Sequence, residues 1–233
     1  IRALLTRVGE PHRCYPVRHS GGTNGKGSTA AMTAAILQAA GYRVGLYTSP
    51  HLIDFRERIR VNGVMIPEET VGRLVETLRG AAAPDLAPTF FEFTTALAFQ
   101  YFADCQVDVA VLEVGLGGRF DATNVVEPLA CAITTIGLDH EAYLGSTLEA
   151  IAFEKAGIVK PAVLVASSPR LACSLNSARR RWRLPCIVWS ASFSATAVQR
   201  LIAGMSAGLR TTIISPARSR DGFNWTISPA RWP

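Results

Sequence analysis

The sequence predicts an α/β fold, a doubly wound parallel sheet with helices on both faces. Three observations point to it. Strand-length apolar runs alternate with helix-length segments over the first two-thirds of the chain. One run, 107–114, is almost unbroken in valine, alanine and leucine, as in a strand buried on both faces. Several runs end in a knot of polar residues, and open α/β sheets place ligands at the carboxyl ends of their strands.

The first strand, 16–20, feeds Gly21-Gly22-Thr23-Asn24-Gly25-Lys26-Gly27-Ser28-Thr29. Glycines let several backbone N–H groups converge on one anion, a helix beginning near Ser28 adds its positive end, and Lys26 adds a full charge. This is a phosphate cradle of the P-loop type. It departs from G-x-x-x-x-G-K-[ST] because Gly27 separates Lys26 from Ser28. The helix is expected over 28–40, with Met32, Ile36 and Leu37 facing inward and Gly41 as a left-handed cap. A second strand, 43–47, ends in Thr48-Ser49-Pro50-His51. The arginine-rich stretch 52–63 reads either as a substrate lid or as a solvated hairpin. Pro67 opens a helix to residue 78, residues 81–88 link, and 90–103 form a helix whose Phe91, Phe99 and Phe102 read as core.

Strand 107–114 brings Glu113 to the sheet edge, just before Gly115-Leu116-Gly117-Gly118-Arg119. A carboxylate in so apolar a strand needs a partner. Magnesium, in the Walker B manner, and Arg119 are the two in view; magnesium is preferred because a triphosphate in the cradle requires it. Strand 130–136 delivers Gly137-Leu138-Asp139-His140 to the same edge. Ser146-x-x-Glu149 reads as a capping box for a helix that carries Lys155 and stops at Gly157. A strand at 162–166, a candidate helix and a short strand at 186–189 complete the pattern.

At 233 residues and 48% hydrophobic content the chain is large enough for a real core. Five cysteines, odd in number and without C-x-x-C spacing, indicate neither a disulfide framework nor a zinc site, and fit a reducing, cytoplasmic setting. No charge-free apolar run reaches transmembrane length and no signal-peptide layout opens the chain, so no membrane partner is expected. An opening on Ile1 suggests that residues precede it. The net charge is +6, yet residues 1–170 carry −2 and residues 171–233 carry +8. No carboxylate lies between Lys155 and Arg220. That tail reads as a basic nucleic-acid-binding segment or a translated frameshift, with nucleic acid the weaker reading. The expected division is a nucleotide-binding domain over 1–189 and an irregular basic tail over 190–233. Lysine is scarce: Lys26, Lys155 and Lys160 stand among twenty-four basic residues. Where a compact cation or a nucleophilic amine is required arginine cannot substitute, which singles out Lys26 and Lys155. Lys160, beside Pro161, reads as chance retention.

Together these motifs resemble the folylpolyglutamate synthase and dihydrofolate synthase family, a branch of the Mur-ligase-like ATP-dependent amide ligases. The carrying stretches are His19 with Gly22-Thr23-Asn24-Gly25-Lys26-Gly27-Ser28, Tyr47-Thr48-Ser49-Pro50-His51-Leu52, Phe55-Arg56-Glu57-Arg58-Ile59 and Phe91-Glu92-Phe93. Further on they are Glu113 to Arg119 with Asp121-Ala122-Thr123-Asn124, Asp139-His140 with Leu144-Gly145, and Glu154-Lys155-Ala156-Gly157-Ile158. The likeness runs to about residue 160, thins to about 189 and is absent after that. It implies that Gly22, Thr23, Asn24, Gly25, Lys26, Gly27 and Ser28 hold the phosphates of ATP. It implies Ser49, Glu113 and His140 as Mg2+ ligands and Lys155, as a carbamate, at a second magnesium, with Lys26, His140 and Lys155 catalytic. Pro50, His51, Phe55 and Arg58 would border the pterin site. The implied reaction phosphorylates the carboxylate of dihydropteroate or a folate and lets the amine of L-glutamate displace phosphate, in a monomer. A C-terminal α/β domain supplying glutamate and nucleotide contacts is implied too, and is missing from this sequence. A non-catalytic nucleotide-binding remnant and a Mur-type peptide ligase are the alternatives.

Overall fold

The computed structural model describes residues 1–82 and 84–160 and, beyond them, the backbone of four strands. In chain order the strands are β1 (Val17–Gly21), β2 (Val44–Tyr47), β3 (Ile59–Val61), β4 (Val64–Met65), β5 (Val109–Glu113), β6 (Ala130–Ile133), β7 (Leu164–Ser167), β8 (Ile187–Trp189), β9 (Thr212–Ser219) and β10 (Gly222–Pro229). The helices are α1 (Arg2–Arg7), α2 (Lys26–Ala39), α3 (Glu68–Ala82), α4 (Phe90–Asp104), α5 (Glu141–Leu144) and α6 (Leu148–Ala156). The candidate helix ahead of β8 lies outside the described residues.

Eight strands form one sheet in the order β4-β3-β2-β5-β1-β6-β7-β8. The six from β2 to β8 run parallel, and β3 and β4 continue the sheet antiparallel. The expected parallel sheet is present with an antiparallel edge. That edge resolves the 52–63 stretch as a hairpin, turning at Asn62-Gly63 with both residues at positive φ. It is only partly solvated, since Ile59 is fully buried against the sheet.

Alternation along the central strands feeds two cores. Val17, Tyr47, Ala110 and Leu112 meet Leu4, Leu5, Leu74, Leu78, Phe99 and Phe102 of α1, α3 and α4. Val44, Val109 and Val111 point the other way, onto Ala30, Ala34 and Leu37 of α2. Helices therefore cover both faces, and β5 is buried at every position.

Three sequence expectations are corrected here. Met32 and Ile36 are 59% and 45% exposed, because α2 packs through its small residues and only Leu37 of the three turns inward. Phe91 is exposed, unlike Phe99 and Phe102, because it lies in the first turn of α4, ahead of the stretch that crosses the sheet. The cap of α6 is Thr147, whose hydroxyl accepts from the Ala150 amide at 3.2 Å, so Ser146 is not the capping residue. Within residues 190–233, expected to be irregular, β9 and β10 pair antiparallel. Thr212, Ile213, Ile214, Trp225, Thr226 and Ile227 give them strand-forming composition.

Candidate nucleotide site

The sheet order decides which motifs meet. Leaving β1 the chain crosses past β5 to β2, returns to β5, and then passes to β6 on the other side of β1. The carboxyl end of β1 thus lies at a topological switch point, flanked by the ends of β5 and β6. Four of the polar knots read from the sequence collect there: the cradle after β1, Ser49 after β2, Glu113 at the end of β5 and the 137–140 segment after β6.

The cradle enters α2 two residues earlier than expected, with Gly25 in the left-handed region at φ 80° and Lys26 as the first helical residue. Two loop amides are satisfied within the protein. The Thr23 amide donates to the Thr135 carbonyl at 2.7 Å and the Asn24 amide to Thr135 Oγ1 at 3.0 Å. Gly27 lies against the Glu113 carboxylate, and its amide favours the charged form. The amides of Gly25, Lys26 and Ser28 remain as first-turn groups without an intrahelical partner, aimed out of the helix end. Lys26 Nζ donates to the Thr23 carbonyl at 3.0 Å, which holds its ammonium over the loop.

Glu113 is 5% exposed and accepts from the Ser49 amide at 3.1 Å. No described Lys, Arg or His pairs with it; Arg119 instead binds Glu154 at 2.8 Å, so the salt-bridge alternative is removed. Burial pushes its pKa up, opposed by the Ser49 amide and by Lys26. Gly27 leaves the room this carboxylate fills: a Cβ there would lie 3.3 Å from Glu113 Oε2. A buried acid with no ion-pair partner among the described residues, beside a hydroxyl residue and a phosphate-shaped loop, fits magnesium, which takes one or two carboxylates together with phosphate oxygens.

Lys155, 3% exposed, reaches the cradle from α6 and donates to the Gly22 carbonyl at 3.0 Å. Burial, with Lys26 nearby, lowers its pKa to about 8. His140 is placed differently. It is the exposed residue capping α5, its Nε2 lies 3.7 Å from Asp139 Oδ2, and no hydrogen bond joins it to Ser49, Glu113 or Lys155. Among the described residues no cluster of three or more His, Cys, Asp or Glu side chains is arranged for a metal. The substrate-loop residues do assemble. Arg58 Nε donates to His51 Nδ1 at 2.8 Å, the His51 and Phe55 rings meet edge-on at 6.2 Å, and Phe90 lies under the guanidinium. Pro50 precedes them in a cis peptide with Ser49.

The family model described as the Mur ligase middle domain matches residues 21–169. The chain belongs to the Mur ligase middle domain family. The chain is 48% identical over 174 residues to the dihydrofolate synthase/folylpolyglutamate synthase of Bacillus subtilis, covering 72% of this chain and 40% of that protein. Its likeness to the enzyme of the same description from Escherichia coli is 47% over 146 residues, covering 61% and 34%. Among solved structures, Escherichia coli FolC in complex with DHPP and ADP superposes with a TM-score of 0.77 at 36% identity, over 83% of this chain and 48% of that one. Mycobacterium tuberculosis folylpolyglutamate synthase complexed with ADP gives 0.74 at 38%, over 80% and 45%. The chain thus spans less than half the length of these relatives. No described helix is long and apolar enough to cross a membrane.

Sequence reasoning assigned no role to Thr134 and took Thr23 for a phosphate contact, yet both threonines close the cradle from within the protein. Thr134 Oγ1 donates to the Asn24 carbonyl at 2.6 Å, and the Thr23 hydroxyl both donates to the Gly137 carbonyl and accepts from the Gly137 amide. For Thr134 the signal was present: a polar residue interrupting an apolar run at a strand's carboxyl end, the same signal that marked Glu113. Lys160, read as chance, donates to Asn124 Oδ1 at 2.7 Å and fastens the 119–124 loop to the end of α6.

His19 anchors that loop from beneath. Its Nε2 lies 2.8 Å from Thr123 Oγ1, whose hydroxyl donates to Asp121 Oδ1, while Asp121 Oδ2 accepts from the Gly115 and Leu116 amides. With the hydroxyl proton directed to Asp121, His19 carries its own proton on Nε2. Burial, then the charge of Lys160, pushes its pKa down to about 3. The unfolded chain gains a proton near pH 6.5 and the folded chain resists to about 3, so stability is lost as pH falls through that window. The limiting slope is about 1.4 kcal/mol per pH unit. His19→Gln is expected to flatten that slope between pH 7 and 5 in urea unfolding. An unchanged slope assigns the acid sensitivity elsewhere.

Proposed function

We propose that this chain is the nucleotide-binding part of an ATP- and Mg2+-dependent ligase that joins L-glutamate to dihydropteroate or a folate. The observation that carries the reading is the meeting of the Lys26 cradle with the buried carboxylate of Glu113, which forms no ion pair among the described residues, at one switch point. The ADP-bound state of the structural relatives supports the nucleotide, and the names of the relatives support a folate-type substrate.

In this reading the amides of Gly25, Lys26 and Ser28 and the Lys26 ammonium hold the phosphates. Ser49 and Glu113 hold the cation, which when bound neutralises charge building on the transferred phosphoryl group. The γ-phosphoryl passes to the substrate carboxylate, giving an acyl phosphate and ADP. The glutamate amine then forms the C–N bond as the C–O bond to phosphate breaks. Water would intercept the acyl phosphate, so alignment of carboxylate, phosphoryl group and amine is what the protein contributes.

His140 and the carbamate of Lys155 complete the proposed cation set. Near pH 7.4 an amine with a pKa of about 8 is about one-fifth uncharged, and only the uncharged amine adds carbon dioxide. Pro50, His51, Phe55 and Arg58 border the substrate. The proposal extends to a nucleotide-binding unit over 1–189 with a separate tail over 190–233, a monomer, no nucleic-acid partner and a cytoplasmic setting.

The test is titration with MgATP and MgADP, followed by ADP release on adding dihydropteroate or a reduced folate with glutamate. Binding with glutamate-dependent release supports the ligase, binding without release supports the remnant, and no binding removes the proposal. Lys26→Ala is expected to weaken nucleotide binding by about 1.5–3 kcal/mol, the contribution of hydrogen bonds to a charged group. Unchanged affinity would place Lys26 away from phosphate.

A further inference from the structure

The cradle is tied to the 137–140 segment by one side chain. Thr23 has a buried side chain whose hydroxyl donates to the Gly137 carbonyl at 3.2 Å and accepts from the Gly137 amide at 3.0 Å. Its own amide donates to the Thr135 carbonyl at 2.7 Å. Both donors that Thr23 could offer a phosphate, its hydroxyl and its amide, are therefore engaged within the protein, and its carbonyl accepts from Lys26 Nζ at 3.0 Å. Thr23 sits between two things that matter for anion binding: the lysine over the loop and the backbone from which Asp139 and His140 project.

We infer that Thr23 is a positioning residue that couples the occupancy of the cradle to the placement of the Gly137–His140 segment, and that it does not itself ligate phosphate. This rests on the reading of the cradle as a nucleotide site. A ligand that draws Lys26 Nζ away from the Thr23 carbonyl changes the load on that one residue, and its hydroxyl grips both polar groups of the Gly137 backbone. The grip is bidirectional, so neither direction of peptide rotation at Gly137 is free while the hydroxyl is in place. Thr135 has a different part: its Oγ1 accepts from the Asn24 amide and fixes the tip of the loop without touching Gly137.

The experiment is MgADP titration by calorimetry on the full chain, combined with amide hydrogen exchange with and without MgADP, for the parent chain, Thr23→Val, Thr23→Ser and Thr135→Val. In the parent chain MgADP should slow exchange over residues 137–140. Thr23→Val keeps the shape but removes both hydrogen bonds to Gly137. It should bind MgADP about tenfold more weakly and lose the ligand-induced protection of 137–140. Thr23→Ser should restore both. Thr135→Val should weaken binding while leaving that protection in place, a separation that general destabilisation would not produce. Protection of 137–140 that survives in Thr23→Val, or Thr23→Ser behaving like Thr23→Val, overturns the inference. If Thr23→Val does not fold, Thr23→Ala read against Thr23→Ser makes the same comparison. A parent chain that binds no MgADP removes the nucleotide reading itself, and the inference with it, before any variant is compared.

Discussion

Gly22→Ala is expected to abolish nucleotide binding and to destabilise the fold by about 3 kcal/mol or more, the largest effect among the substitutions considered. Gly22 stands at φ 140°, where a side chain is strained whatever the space around it. There is also no space. A Cβ would overlap Thr134 Oγ1 and lie 3.1 Å from the amide nitrogens of Thr134 and Thr135. Relaxation is blocked on both sides, because the Thr134 amide donates to the Gly21 carbonyl and Lys155 Nζ donates to the Gly22 carbonyl, both at 3.0 Å. Urea unfolding and MgADP titration read the two effects. An alanine variant with an unshifted midpoint and intact binding would mean that the cradle yields where the geometry says it cannot.

Glu113→Gln is expected to remove the magnesium-promoted part of nucleotide affinity, a loss on the order of a hundredfold, since even outer-shell partners of a metal are worth 10–100-fold. The same substitution should change the pH dependence of stability in a defined direction. Burial raises the Glu113 pKa in the folded state, so above about 4.5 the unfolded chain releases a proton that the folded chain still holds. Ionisation of this residue therefore erodes stability as pH rises from the ordinary carboxylate value through the raised one. The glutamine variant lacks that loss. Its stability relative to the parent chain should improve on going from pH 4 to 7, while its affinity for MgATP at pH 7 falls. A variant that tracks the parent in both pH profile and magnesium dependence would remove Glu113 from the cation site.

Much of this was legible in the chain. The apolar run ending in Glu113, the glycines around Lys26 and the rarity of lysine each have a local cause: burial on both faces, convergence of amides, and the need for an ammonium where arginine would serve elsewhere. These identify strand ends, a cradle and the two buried or half-buried lysines without any tertiary contact. Periodicity failed where it had to infer which face of a helix is covered. Met32 and Ile36 share α2 with Leu37, but the sheet meets α2 along Ala30 and Ala34, and the larger side chains stay outside. Phe91 failed for a related reason, one turn separating it from the part of α4 that the sheet covers.

The sequence by itself determined the type of each element and the chemistry at the end of each strand, because both depend on side chains within one turn or one run. Only the tertiary structure decided which strand ends are neighbours, since the order β2-β5-β1-β6 is not the order of the chain. It also decided what each polar group does once there. The Asn24 amide and the Thr23 hydroxyl look like ligand contacts in sequence, yet both are bonded to residues more than a hundred positions away. Arg119 could have neutralised Glu113 from six positions along the chain; the fold gives it Glu154 instead, and no other described cation forms an ion pair with Glu113. A buried charge can be recognised from its apolar neighbours in sequence, but what satisfies it depends on distances that only packing fixes.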